Sequence, residues 1–337
     1  MNLLPMNLTQ AAKITRIFII VFFVTFMLGT STYIGYKIWY SHYLASLPAP
    51  EEKADPKFGV LKLPILPQSD VSSSNYAYTI DTNTGNLPDF GKITKVFIMP
   101  PVTSTLLAGE KSQNLALKFN LDPNPQIISE TKYKYQSTSA SLTINLDTGN
   151  FVYQKEASPS TLETITDNEN QLINNFKISL NQLGILNDQL KNGPSVITFL
   201  DTDKKTALIS LWPQDLDKKQ ILSPYPNKSL VNAKVTKSAS DLSNYLSMEV
   251  TFWPIDISSY ATYPIKSSSE AFDDLRSGNG TIIIVPPSPK VSITDMALTY
   301  FQSDQYSPYL QPIYVFTGPN FTAYVAAISN SYLDLTK

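Results

Sequence analysis

The sequence predicts an α+β protein: a single N-terminal transmembrane helix followed by consecutive modules, each a helix packed on antiparallel sheet. Three observations predict it. Ile17–Tyr36 runs for twenty residues without a charge, between Arg16 and Lys37. The chain beyond it is polar enough to fold in water. Within that remainder, helical stretches are followed three times by runs of period-two hydrophobicity.

At about 1.5 Å per helical residue the uncharged run reaches roughly 30 Å, the thickness of a bilayer's hydrocarbon core. A cleaved signal peptide carries a shorter apolar region, about 7–15 residues, that ends at a small-x-small site. Leu44-Ala45-Ser46 is a poor site of that kind, so an uncleaved signal anchor over 17–40 is expected. Tyr33, Tyr36, Trp39, Tyr40 and Tyr43 crowd its C-terminal end, where amphipathic rings suit the headgroup level. Lys13 and Arg16 precede the span and Lys37 follows it, with Glu51, Glu52 and Asp55 further out. The positive-inside rule then makes residues 1–16 a cytoplasmic tail and places the rest outside. Ser31 and Gly35 form a small-xxx-small pair, a spacing that also arises by chance.

Composition excludes several chemistries. Net charge is −2, and Arg16 and Arg276 are the only arginines, so no guanidinium cluster exists to grip phosphates; nucleic acid is not an expected partner. The chain has no cysteine, which removes disulfides, thiolate nucleophiles and zinc-thiolate sites together. Its one histidine, His42, lies beside the anchor and leaves the outer body without an imidazole base or ligand. No catalytic residue, cofactor or metal ligand is therefore expected.

Residues 41–75 hold Pro48, Pro50, Pro56, Pro64 and Pro67 and then Ser69, Ser72, Ser73 and Ser74, an extended spacer by composition. Phe58–Leu63 is apolar enough to dock on the first module. That module, 76–160, contains short strands through Tyr76–Ile80 and Val96–Ile98, a helix over 104–119, and a hairpin turning at Asp147-Thr148-Gly149-Asn150. Asp81-Thr82-Asn83-Thr84-Gly85-Asn86 opens like a calcium loop. Gly85 at position five and Lys92 at position twelve make it an Asx-rich turn instead.

The second module, 161–258, opens with a helix at about 167–183 in which Leu172, Phe176, Leu180 and Leu183 form a stripe, with Thr166 and Glu169 as capping box and Gly184 as stop. Strands follow near 195–201, 205–212, 229–237 and 247–253. Asp201 and Asp203 are close enough in sequence to suggest paired carboxylates, but a turn explains the spacing. The third module, 259–337, has a Ser267–Glu270 capping box, Ala271 and Leu275 on one face, Gly278 as stop, then four strands.

Within this third module, Tyr263-Pro264-Ile265, Glu270-Ala271-Phe272 with Leu275, Gly278 and Gly280, Leu298-Thr299-Tyr300-Phe301, Pro312–Phe316 and Tyr324–Ile328 carry a resemblance. About seventy residues resemble the C-terminal part of YycH/YycI-like, PepSY-like extracytoplasmic proteins of bacteria, which are anchored by one helix. The resemblance implies a non-catalytic regulatory protein whose outer domain binds another envelope protein, of sensor-kinase or peptidase class. It brings no catalytic residue. Tyr300, Tyr314 and Tyr324 lie in the matched strands and are the candidate protein-binding residues, each with core as its alternative reading. Such a binder needs an apolar patch or an unpaired sheet edge. A structural envelope tether is the other expectation, marked by self-association into a homo-oligomer.

Overall fold

The computed structural model describes residues 8–46, 53–156 and 162–335, and the chain divides into two units, one ending at Lys53 and one beginning at Ala54. The first holds α1 (Leu8–Ser46), a helix of 39 residues. Its Ala12–Tyr43 segment, in which an 18-residue window has a mean hydropathy of 2.2, is long and apolar enough to cross a membrane, a property that signal sequences share. The helix starts well before the predicted span, taking in Lys13 and Arg16. Thr25, Thr30 and Thr32 donate to the carbonyls of Val21, Phe26 and Leu28 at 2.8, 3.0 and 2.6 Å. Their hydroxyls are thereby satisfied without water. Near the C-terminal end Tyr36 stacks on Tyr40 and Trp39 on Tyr43, with ring centroids 5.8 and 5.6 Å apart. Pro48, Pro50, Glu51 and Glu52 lie outside the described residues.

The second unit runs β1 (Leu61–Lys62), β2 (Ala77–Ile80), β3 (Ile93–Ile98), α2 (Ala108–Lys118), β4 (Gln126–Ser129), β5 (Lys132–Gln136), β6 (Ala140–Asn145) and β7 (Phe151–Lys155). It continues with α3 (Glu169–Gln182), α4 (Asp188–Lys191), β8 (Ser195–Phe199), β9 (Thr206–Leu211), β10 (Ile221–Leu222), β11 (Val231–Thr236), β12 (Tyr245–Val250) and β13 (Asp256–Pro264). It closes with α5 (Ser268–Ser277), β14 (Thr281–Ile284), β15 (Lys290–Ile293), β16 (Asp295–Phe301), β17 (Tyr309–Gly318), β18 (Phe321–Ala326) and β19 (Leu333–Asp334).

An eight-stranded antiparallel sheet has the order β4-β5-β6-β7-β12-β11-β9-β8. One row of inward side chains crosses seven of these strands in register: Tyr135, Leu142, Tyr153, Met248, Ala233, Ile209 and Ile197. Leu115, Ala116 and Phe119 of the α2 region and Leu172, Phe176 and Leu180 of α3 cover that row and form one core with it. The α3 stripe is thus core, as its spacing requires. Its capping box differs from the expectation: Asn168 caps and Gln171 reciprocates, because Glu169 already stands in the first turn. The α2 helix starts at Ala108, after a non-helical 104–107, with no side-chain cap at Leu107.

The other large sheet, of seven strands, runs β10-β16-β17-β18-β14, with β3 pairing both β17 and β13. The α5 helix begins at the predicted box, Ser267 capping and Glu270 reciprocating, and ends at Gly278, whose φ of 93° closes the C-cap. Ala271 and Leu275 join Tyr314, Phe316, Phe321, Ala323 and Val325 in the core beneath it.

Strand pairing crosses the boundaries expected at 160 and 258. Strands at 126–155 and 195–250 share one sheet, while β2 and β3, expected in the first module, pair with strands of the third. The spacer also needs correcting from Ala54 onward. Leu61 is fully buried and pairs in parallel with Leu333, Phe58 stacks on Tyr309 at 5.0 Å, and Gln311 donates to the Lys62 carbonyl at 2.8 Å. The apolar residues between the prolines fill the body, which an average over composition hides.

Candidate protein-binding edge

The structure places Tyr300, Tyr314 and Tyr324 inside, at 0%, 1% and 0% exposure. Tyr300 donates to the Lys95 carbonyl at 3.0 Å and meets the Phe97 ring edge to face at 5.5 Å. The Tyr314 hydroxyl donates to the Lys266 carbonyl. Tyr324 packs on Phe301, and its hydroxyl has no partner among the described residues. Burial raises all three phenol pKa values, that of Tyr324 to about 12. None of these side chains can touch a partner, which corrects the sequence expectation. The reason is that both faces of their sheet are covered. The face with Tyr314 lies against α5, and the face with Phe301, Ile313 and Tyr324 packs against Leu66 from outside the sheet and beside Leu222 of β10 and Ile283 of β14 within it.

Acidic residues singled out in the sequence are occupied by turns. Asp201 accepts from the Lys205 and Thr206 amides, each at 2.8 Å, and from the Thr206 hydroxyl at 2.6 Å. These bonds, that of the Lys205 amide foremost, lower its pKa. Asp203 pairs with Lys205 at 3.2 Å. Around Asp81 the turn closes through the Gly85 amide on the Thr82 carbonyl and the Thr82 hydroxyl on the Asn86 carbonyl.

The eight-stranded sheet ends in two strands that each pair on one side only, β4 and β8. Its two edges differ. The β4 edge is blunted: Pro123 and Pro125 precede it and its register shifts between Ile127 and Ser129. The β8 edge is less protected, with the single Pro194 before it. Ser195-Val196-Ile197-Thr198-Phe199 is uncharged, contains no proline and pairs with β9 in unbroken register. Ile197 and Phe199 lean on the core only half-buried, and Val196 and Leu200 on the outer face are 46% and 47% exposed.

Backbone direction at this edge follows from the ladder. The Trp212 amide donates to the Pro194 carbonyl and the Leu200 amide to the Thr206 carbonyl, in the same register as the Ser195↔Leu211 to Phe199↔Ala207 pairs. Hydrogen-bonded pairs alternate along an antiparallel ladder. Residues 194, 196, 198 and 200 therefore bond to β9, and Ser195, Ile197 and Phe199 turn their N–H and C=O groups outward. No strand pairs with this edge among the described residues. Gly193 sets where β8 begins, since a Cβ there would lie 1.8 Å from the Trp212 carbonyl oxygen.

A second apolar feature lies at the start of α2. Leu106 and Leu107 project into solvent beside a groove of about 310 Å³ lined by Val102, Leu115, Ile144, Leu146, Leu183 and Ile185.

No family model and no curated protein matches the chain. Among solved structures, an uncharacterized protein from Eubacterium rectale is similar at 13% identity and a TM-score of 0.33, over 73% of this chain and 86% of that one. The Bacillus megaterium YpeB C-terminal domain is similar at 12% identity and a TM-score of 0.29, over 68% of this chain and 95% of that domain.

The β8 edge was not legible in the sequence. Its residues alternate like those of any half-buried strand, and only the strand order shows that its second side is open.

Proposed function

We propose that this is a non-catalytic, YycH/YycI-like single-pass membrane protein whose body, held outside the cytoplasm by α1, binds and regulates another envelope protein. The observation that supports it best is the open, uncharged β8 edge, which offers three residues' worth of outward backbone groups flanked by apolar side chains. An extended segment of a partner adds there as a strand, its main chain supplying hydrogen bonds and its side chains meeting Ile197 and Phe199. The motif residues of the third module and the Lys13/Arg16 bias before the apolar run support the family reading and the orientation.

The test is site-specific photo-crosslinking of the full chain in cells, with the probe at Val196 and, as control, at Val152 in the middle of the same sheet. The reading expects one envelope protein crosslinked from Val196 through a mapped extended segment, and not from Val152. Equal capture from both positions, or none from either, removes it.

A further inference from the structure

The same edge is complementary to itself. In a strand paired antiparallel with its own copy about a two-fold axis, the residue numbers of each facing pair have a constant sum. Only Ser195, Ile197 and Phe199 direct their backbone groups outward, so the pairing must join odd residues to odd. A register centred on Ile197 does this for the whole strand. Ile197 faces Ile197 of the second copy, and Ser195 faces Phe199 in both directions. Three hydrogen-bonded pairs then exchange about six N–H···O bonds.

We infer that β8 of one copy pairs with β8 of a second copy in this register. Three features single out a second copy as the occupant. The inward row that crosses the sheet ends at the half-buried Ile197, and the partner copy's Ile197 continues it without a break. On the outer face Val196 meets Thr198, so two β-branched side chains of similar size pack across the seam. No residue of β8 is charged, so two copies meet at the strand without opposing charges. The same lack of charge that leaves the edge unprotected against other chains makes it acceptable to its own. The inference needs only the edge and a second copy; one open edge takes one strand, so the second copy and the proposed envelope partner exclude each other there.

The chain has no cysteine, which makes the register directly measurable. Single variants Ser195→Cys, Val196→Cys, Ile197→Cys, Thr198→Cys and Phe199→Cys of the full chain, in its membrane, are oxidised and resolved without reductant. A hydrogen-bonded antiparallel pair has Cα atoms about 5.5 Å apart, within disulfide reach. Ile197→Cys alone should form about tenfold more dimer than Ser195→Cys or Phe199→Cys alone. Those two should crosslink when mixed, as should Val196→Cys with Thr198→Cys. Val196→Lys, an outer-face charge that leaves the β9 ladder intact, should abolish the Ile197→Cys dimer.

Equal yields at all five positions, or no dimer at any, overturns the inference. Crosslinks from β8 to a different protein with no dimer overturn it and leave the proposed function standing. The dimer without any foreign partner does the converse.

Discussion

The Lys266 ammonium lies 2.7 Å from the Asp274 carboxylate, with their side chains only 8% and 16% exposed. Lys266 also donates to the Ala326 carbonyl at 3.1 Å, so one cation ties α5 to the end of β18. Removing one partner strands a nearly buried charge. Asp274→Ala should cost about 3–5 kcal/mol in denaturant unfolding, whereas the double change Lys266→Met with Asp274→Leu should cost much less or stabilise. If the single and double variants lose equal stability, the ion pair is not the clamp.

Tyr324 supplies a pH prediction. Its phenol is buried without a hydrogen-bond partner and its pKa stands near 12, against 10 for an ordinary tyrosine. A folded pKa above the unfolded one favours the neutral form. The contribution is complete below about pH 10 and is lost as the pH rises through the folded value near 12. Unfolding midpoints followed from pH 8 to 12 should fall in the upper part of that range, and Tyr324→Phe should flatten the fall. At pH 7 the same substitution should change stability by less than about 1 kcal/mol, because no hydrogen bond is lost.

Tyr245 is the contrasting case. Its hydroxyl donates to the Ala239 carbonyl at 2.9 Å and lies 3.1 Å from the Ser179 hydroxyl, which joins β12 to α3 and to the 239 turn. Tyr245→Phe removes this bond and leaves the Ala239 carbonyl with only the Ser179 hydroxyl, at 3.4 Å, and should cost about 1–1.5 kcal/mol at neutral pH. Thermal unfolding of Tyr245→Phe beside Tyr324→Phe tests the difference directly.

The 54–75 segment contributes to the core through Leu61. Leu61→Ala should cost about 2–5 kcal/mol, and the neighbouring exposed Val60→Ala should stay within about 0.5 kcal/mol. A spacer would tolerate both changes equally.

These residues also show what the sequence can and cannot reveal. Ile17–Tyr36 was legible because a charge-free run of that length has few other uses, and the Ser267–Glu270 box and Gly278 because capping is local chemistry. The hairpin at Asp147–Asn150 belongs to the same class, its turn held by the Asn145 side chain accepting from the Asp147 and Thr148 amides. What stayed hidden is non-local. Tyr324 alternates with Phe321, Ala323 and Val325 as any amphipathic strand would. That its own face is buried too depends on Leu66, far away in the chain and outside the sheet. The join of β7 to β12, which merges two expected modules, has no local signal either: Tyr153 meets Met248 across the whole α3 to β11 excursion.

Proline substitution separates the two sides of β8. At Val196 the amide belongs to the β9 ladder, so Val196→Pro removes an internal hydrogen bond and forces the strand off its neighbour; a loss of about 3 kcal/mol or more is expected. At Ser195 the amide points outward, and Ser195→Pro is expected to cost no more than about 1 kcal/mol, since proline is compatible with the free side of an edge strand. Denaturant midpoints of the two variants measure the asymmetry. Equal losses would mean that both sides of the strand are engaged within one chain, and the edge would then be closed to a second copy and to any other strand.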